Sequence, residues 1–201
     1  AHHQVFQTQW TTGVYAVARP LAQLFGPQSI WTVQLTNLLF TLIMLAGVVG
    51  LGAAMGSTRL GLWAALVTAL CPALVATSWY YVLDGPLTAM VAVGLFLLWR
   101  TEGFSHSANT VAFGLWSGLS LWIKLSYPFS LLVPSCWALA LRLWRGPRLR
   151  TCVNVVLAVA LCLGMFTLAE APDYGELLND IRFHADAEKF LDQDMAVDIR
   201  P

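Results

Sequence analysis

Apolar residues occupy this chain in runs too long and too uniform for the one-sided stripe of a soluble helix or strand. Two uncharged runs, 32–51 and 60–82, reach the length of about 20 residues that a helix needs to cross a hydrocarbon core. Runs 86–99 and 153–169 are shorter, ending at Arg100 and Glu170. Between them lies 109–143, interrupted by Lys124, Pro128 and Pro134, which fits either one very long helix or two short ones. Charge placement decides, because short cytoplasmic loops collect Lys and Arg. If Arg59 lies inside, Asp84 lies outside and Arg100 inside again. Only a two-helix reading of 109–143 then keeps Arg142, Arg145, Arg148 and Arg150 inside. The pattern therefore predicts an all-α, polytopic transmembrane bundle of about six spans: 32–51, 60–82, 86–99, 109–123, 127–143 and 152–169. Asp84 and Lys124 fall together at its extracytoplasmic side.

The flanks differ from this body. In 1–28, Phe6, Trp10, Val14, Val17, Leu21, Leu24 and Phe25 recur at helical steps between polar residues, which predicts an amphipathic helix on the outer surface, broken or bent near Pro20. An edge packed on other sequence is the alternative. The segment 170–201 carries Leu177, Leu178, Ile181, Ala185 and Glu188 at helical steps and is expected to be an acidic extracytoplasmic tail. Three regions follow: 1–28, 29–169 and 170–201.

Composition agrees: of 201 residues, 58% are hydrophobic and 11% charged, with mean hydropathy +0.66, where a soluble domain carries about 25% charged. The zero net charge hides +6 in 1–169, from eight basic and two acidic residues, and −6 in 170–201, from three and nine. No basic patch with motifs points to nucleic acid. Cys71, Cys136, Cys152 and Cys162 sit in apolar runs without CxxC spacing and are expected to be small buried hydrophobes. The chain opens at Ala1 without a signal-peptide pattern and closes at Pro201 on a polar segment, so it is expected to be a processed protein or a piece of a longer one.

Few residues offer chemistry. Asp84, in WYYVLDGPLTA, is either a helix cap or a functional carboxylate near the membrane. Lys124, in LSLWIKLSYPF, either snorkels to headgroups or meets a phosphate. Trp79, Tyr80 and Tyr81 fit an interfacial belt, and the two tyrosines also fit a site beside Asp84. His2 and His3 fit a metal ligand pair, an acid or base, or simply a polar surface loop, and adjacency alone does not choose among these. His106 and His184 lack metal-ligand spacing, so no metal site and no soluble cofactor are expected, and a divalent ion has no support from spacing. Arg142, Arg145, Arg148 and Arg150 read as an orientation signal, with contact to anionic lipid as a second role. GxGxxG, P-loop, GxSxG and HExxH patterns are absent.

The order of these features resembles a family. HHQVFQTQW followed by LAQLFGPQSIWTVQLTNLLF, then GLWAALVTALCPALVATSWYYVLDGPLTAMVAVGLFLLWR with its Asp-x-Pro, then GLWSGLSLWIKLSYPFSLLVPSCW ending a Gly-rich helix in Lys, are similar to the GT-C superfamily. The resemblance is to its polyprenyl-phosphate-sugar-dependent membrane glycosyltransferases, in the protein O-mannosyltransferase and aminoarabinose transferase branch. It covers about residues 1–170 and implies a chain that lacks the family's first span. It implies a polyprenyl-phosphate sugar donor, membrane lipid as surroundings, an unidentified acceptor, and a bacterial inner (plasma) membrane enzyme with an extracytoplasmic site. Asp84 would organise that site, Lys124 would contact the donor phosphate, and His2 and His3 would sit near an entrance. The family's catalytic base lies in its first outer loop, and no acidic residue precedes Asp84 here. A transporter component, or a noncatalytic scaffold subunit whose charges only set topology, are the alternative readings.

Overall fold

The computed structural model describes residues 12–26, 29–78, 84–145 and 148–170, and these form eight helices and no strand. They are α1 (Thr12–Phe25), α2 (Ile30–Ala54), α3 (Thr58–Ala69), α4 (Pro72–Ser78), α5 (Asp84–Arg100), α6 (Ser107–Ile123), α7 (Tyr127–Arg145) and α8 (Arg148–Glu170). Five of the apolar runs become one helix each. The sixth, 60–82, does not: α3 stops at Leu70 and α4 begins at Pro72. Proline has no N–H to continue the ladder and disfavours helical geometry at the preceding Cys71. Local signals set other boundaries. Ser29 and Ser57 cap α2 and α3, their hydroxyls accepting from Trp31 N at 3.3 Å and Leu60 N at 3.1 Å. Gly56, at φ +99°, turns the chain between α2 and α3.

Glycines show which helices lie closest and how they run. A Cβ on Gly47 would meet Val93 N at 2.8 Å, and one on Gly50 would meet Phe96, so α2 and α5 run parallel. Gly114 abuts Ala158 and Gly118 abuts Cys162, which makes α6 and α8 parallel as well. Trp116 Nε1 donates to Met90 O at 2.9 Å, and Asn109 Nδ2 to Arg100 O at 2.6 Å, tying α6 antiparallel to α5. α3 folds back along α2 with Gly61 against Gly52, and α7 lies parallel to α5 with Tyr127 against Gly94 and Arg142 against Gly103. Thus α2, α5 and α7 start where α6 and α8 end. The opposite end holds the start of α3 with Arg59, the end of α5 with Arg100, the end of α7 with Arg142, and the start of α8 with Arg148 and Arg150.

Hydroxyl-bearing residues are buried beside a hydrophobic core that includes Phe40, Met44, Met90 and Leu131, and the outer surface is apolar too. Thr36, Thr101, Thr110 and Ser120 are 0% exposed, while Phe129 is 79% and Trp144 87% exposed. The buried hydroxyls are satisfied locally: Thr36 Oγ1 donates to Thr32 O at 2.7 Å, Thr110 to His106 O at 2.9 Å and Ser120 to Trp116 O at 2.7 Å. Of the helices, α2 and α8 are long and apolar enough to cross a membrane. The cysteines depart from expectation, since Cys71, Cys136 and Cys152 are exposed and Cys162 half-buried. An apolar run here does not mean an interior position, because the outward face is itself apolar.

Helix α1 does form within 1–28, and it continues through Pro20 without a break. It is docked and not merely laid on the surface: Val14 is 1% and Ala18 6% exposed, and Gly13 lies against Trp122 O of α6. Leu24 and Phe25 stay exposed. Residues 1–11, 27 and 28 and the tail beyond Glu170 lie outside the described residues.

Candidate functional site

Two helix ends build the site. α6 ends when Lys124 turns extended, at φ −158° and ψ 125°, with its N–H still bonded to Ser120 O. Its carbonyl accepts from Tyr127 N at 3.0 Å, which starts α7 after a two-residue turn. Because α5 is antiparallel to α6, the first turn of α5 arrives beside this corner and brings Asp84 with it. The Lys124 ammonium donates to Asp84 Oδ1 at 2.6 Å. The lysine side chain is 30% exposed and the carboxylate 67%. Gly85 next to it faces open space, so the pair is accessible from outside the bundle.

Below Lys124 the environment changes sharply. Ser117 Oγ lies 3.5 Å from Tyr127 Oη, and Tyr127 is 2% exposed, wedged against Gly94 of α5. This fixes α5, α6 and α7 relative to one another, and hence Asp84 relative to Lys124. From Leu121, Tyr127 and Pro128 a crevice of about 390 Å³ runs between α6, α7 and α8 toward Phe113, Leu139 and Val155. Its walls are almost wholly apolar. Lys124 and Asp84 are not among its described lining residues, but Lys124 stands between Leu121 and Tyr127, which are. The ion pair therefore lies near one end of an apolar crevice, an arrangement that suits an amphiphile with an anionic head and a hydrocarbon tail.

Of the residues singled out from sequence, Asp84 and Lys124 are brought into contact across 40 positions. His2, His3, Tyr80 and Tyr81 lie outside the described residues, as does Trp79. Among the described residues no three His, Cys, Asp or Glu side chains cluster as metal ligands would. Sequence reasoning missed the Ser117–Tyr127 contact that seats the corner; its only trace was a serine in an apolar helix and a tyrosine before Pro128. No family model matches the chain, and no curated protein or solved structure shows significant similarity to it.

Proposed function

We propose that this chain is part of a multi-pass membrane glycosyltransferase of GT-C type, which transfers a sugar from a polyprenyl-phosphate donor to an acceptor at the extracytoplasmic face. The observation that carries this reading is the 2.6 Å contact between Lys124 and Asp84. Resemblance and charge placement each singled out these two residues and put them on one face. Support for about six spans comes from the alternating helix directions, the arginines at the opposite end and the apolar outer surface. α5 and α6, at 17 residues each, are about 25 Å long, close to the hydrocarbon thickness of about 30 Å.

In this reading Lys124 binds the donor's phosphate and the polyprenyl chain lies along the crevice between α6, α7 and α8. The acceptor's hydroxyl or amine attacks the anomeric carbon as the bond from that carbon to the phosphate oxygen breaks. The bonding electrons leave with polyprenyl phosphate, and the ammonium stabilises the charge that develops there. Asp84 holds the ammonium, so it orients Lys124, and the proton removed from the acceptor goes to the carboxylate base that the resemblance places in the family's first outer loop, upstream of the matched segment.

Binding of undecaprenyl phosphate to the full-length protein in nanodiscs tests the reading. Lys124→Ala is expected to weaken binding about tenfold or more, since a charge-assisted contact to phosphate is lost. Lys124→Arg is expected to retain most of it. Equal, unweakened binding by both variants would remove Lys124 from the site.

A further inference from the structure

At the end of the bundle away from Lys124, a second groove of about 630 Å³ opens between α2, α5 and α7. Leu51, Leu95, Leu98 and Pro134 form apolar wall, and Trp99 and Trp137 stand at its margin, 53% and 68% exposed. Trp99 is pinned, its Nε1 donating to Ala54 O at 3.2 Å. Two charged residues line the groove, Glu102 and Arg142. The Glu102 carboxylate is engaged by His106 Nε2 at 3.2 Å. Arg142 has no such relief among the described residues: its Nε is buried without a hydrogen-bond partner there.

The cause is the turn 101–106. Glu102, Gly103 and Phe104 all take positive φ, 49°, 68° and 66°, and the turn is held by Thr101 Oγ1 accepting from Phe104 N and by Asn154 Nδ2 donating to Phe104 O. It sits so close to α7 that a Cβ on Gly103 would lie 2.7 Å from Arg142 Cβ. The arginine stem is thereby covered, Nε included, and Arg142 is left among the residues that line the groove. The covered Nε is out of a ligand's reach, so an anion would meet the terminal guanidinium nitrogens, and a phosphate oxygen is the acceptor that an arginine beside an apolar groove selects.

We propose that this groove binds an anionic phospholipid of the leaflet facing the arginine-rich loop, its phosphodiester taken by Arg142 and one acyl chain lying along Leu51, Leu95 and Pro134. Charge complementarity chooses the occupant: Arg100, Arg142, Arg148 and Arg150 lie at this end, Arg142 lines the groove itself, and Glu102, the carboxylate among its described lining residues, is within 3.2 Å of His106. The site rests on the membrane reading above but not on the transferase reading.

Native mass spectrometry of the full-length protein, delipidated in detergent and titrated with phosphatidylglycerol or phosphatidylcholine of the same chains, decides it. Phosphatidylglycerol is expected to be retained preferentially, with Arg142→Gln weakening it about tenfold. Leu141→Trp fills the groove while keeping every charge, so it is expected to weaken retention to a similar degree, and it decides the matter if Arg142→Gln fails to fold. Arg148→Ala and Arg150→Ala are expected to change it less than about twofold, as exposed charges near a surface do. Equal retention of the two lipids, equal losses in all four variants, or Arg142-dependent binding of inorganic phosphate alone would overturn the site. Retention unchanged in Lys124→Ala separates this groove from the site at the other end.

Discussion

What the Asp84–Lys124 pair is for can be decided by its energetics. Exposed ion pairs contribute about 0–1 kcal/mol to stability, and this carboxylate is 67% exposed. α5 and α6 are held by other means, including the bond from Trp116 to Met90 O and the wedge of Tyr127 against Gly94. Asp84→Asn, which keeps the side-chain shape, is therefore expected to change thermal stability in detergent by less than about 1 kcal/mol. Transfer is expected to fall because Lys124 loses the partner that orients it. Full activity with unchanged stability would reduce Asp84 to a helix-start residue. The sequence made both residues visible, because lone charges in apolar runs stand out. Their contact was legible only through topology, since nothing within either segment encodes a partner 40 positions away.

Between elements, close approach matters more than side-chain volume. α6 and α8 meet through Gly114 and Gly118, a small-xxx-small spacing that lets backbones touch. A Cβ at Gly118 would lie 2.5 Å from Cys162 O and 2.6 Å from Met165 Cβ, so the helices must separate to admit one. Gly118→Val is expected to destabilise the bundle by about 1–3 kcal/mol, measurable as a lowered midpoint of thermal unfolding in detergent. At the other end of this helix pair, Asn154 Nδ2 donates to Phe104 O at 2.7 Å and Asn154 Oδ1 accepts from Ser107 Oγ at 3.1 Å. Asn154→Leu leaves the Phe104 carbonyl unpaired in the core and is expected to cost about 1–3 kcal/mol. A stability matching the unsubstituted protein would mean that the turn finds another donor. Hydropathy found these helices because each coincides with a long run of apolar residues. It missed the stop at Pro72, where a single missing N–H outweighs the continuous apolar pattern. The 101–106 turn was equally hidden, because Glu102 and Phe104 carry no sequence mark of the left-handed conformation they adopt.

For the whole molecule, the six-span reading makes one demand that no single helix makes: the Asp84–Lys124 end and the arginine-rich end must face opposite compartments. Cys71, Cys136 and Cys152 are exposed, so labelling requires all four native cysteines to be replaced by Ala first. Gly85 faces open space beside Asp84, and Leu149, 81% exposed, lies between Arg148 and Arg150. Both accept a cysteine without displacing packed atoms. In intact cells carrying the full-length protein, a membrane-impermeant maleimide is expected to label Gly85→Cys at once and Leu149→Cys only after permeabilisation. That outcome follows from the retention of Lys and Arg on the cytoplasmic side and would set Lys124 where a lipid-linked sugar on the outer leaflet is used. The reverse pattern would place the pair inside and remove an extracytoplasmic transfer reaction. Labelling of both positions before permeabilisation would mean that the chain does not separate the two compartments, and the spans would have to be redrawn from α2 and α8, the two helices long and apolar enough to cross on their own.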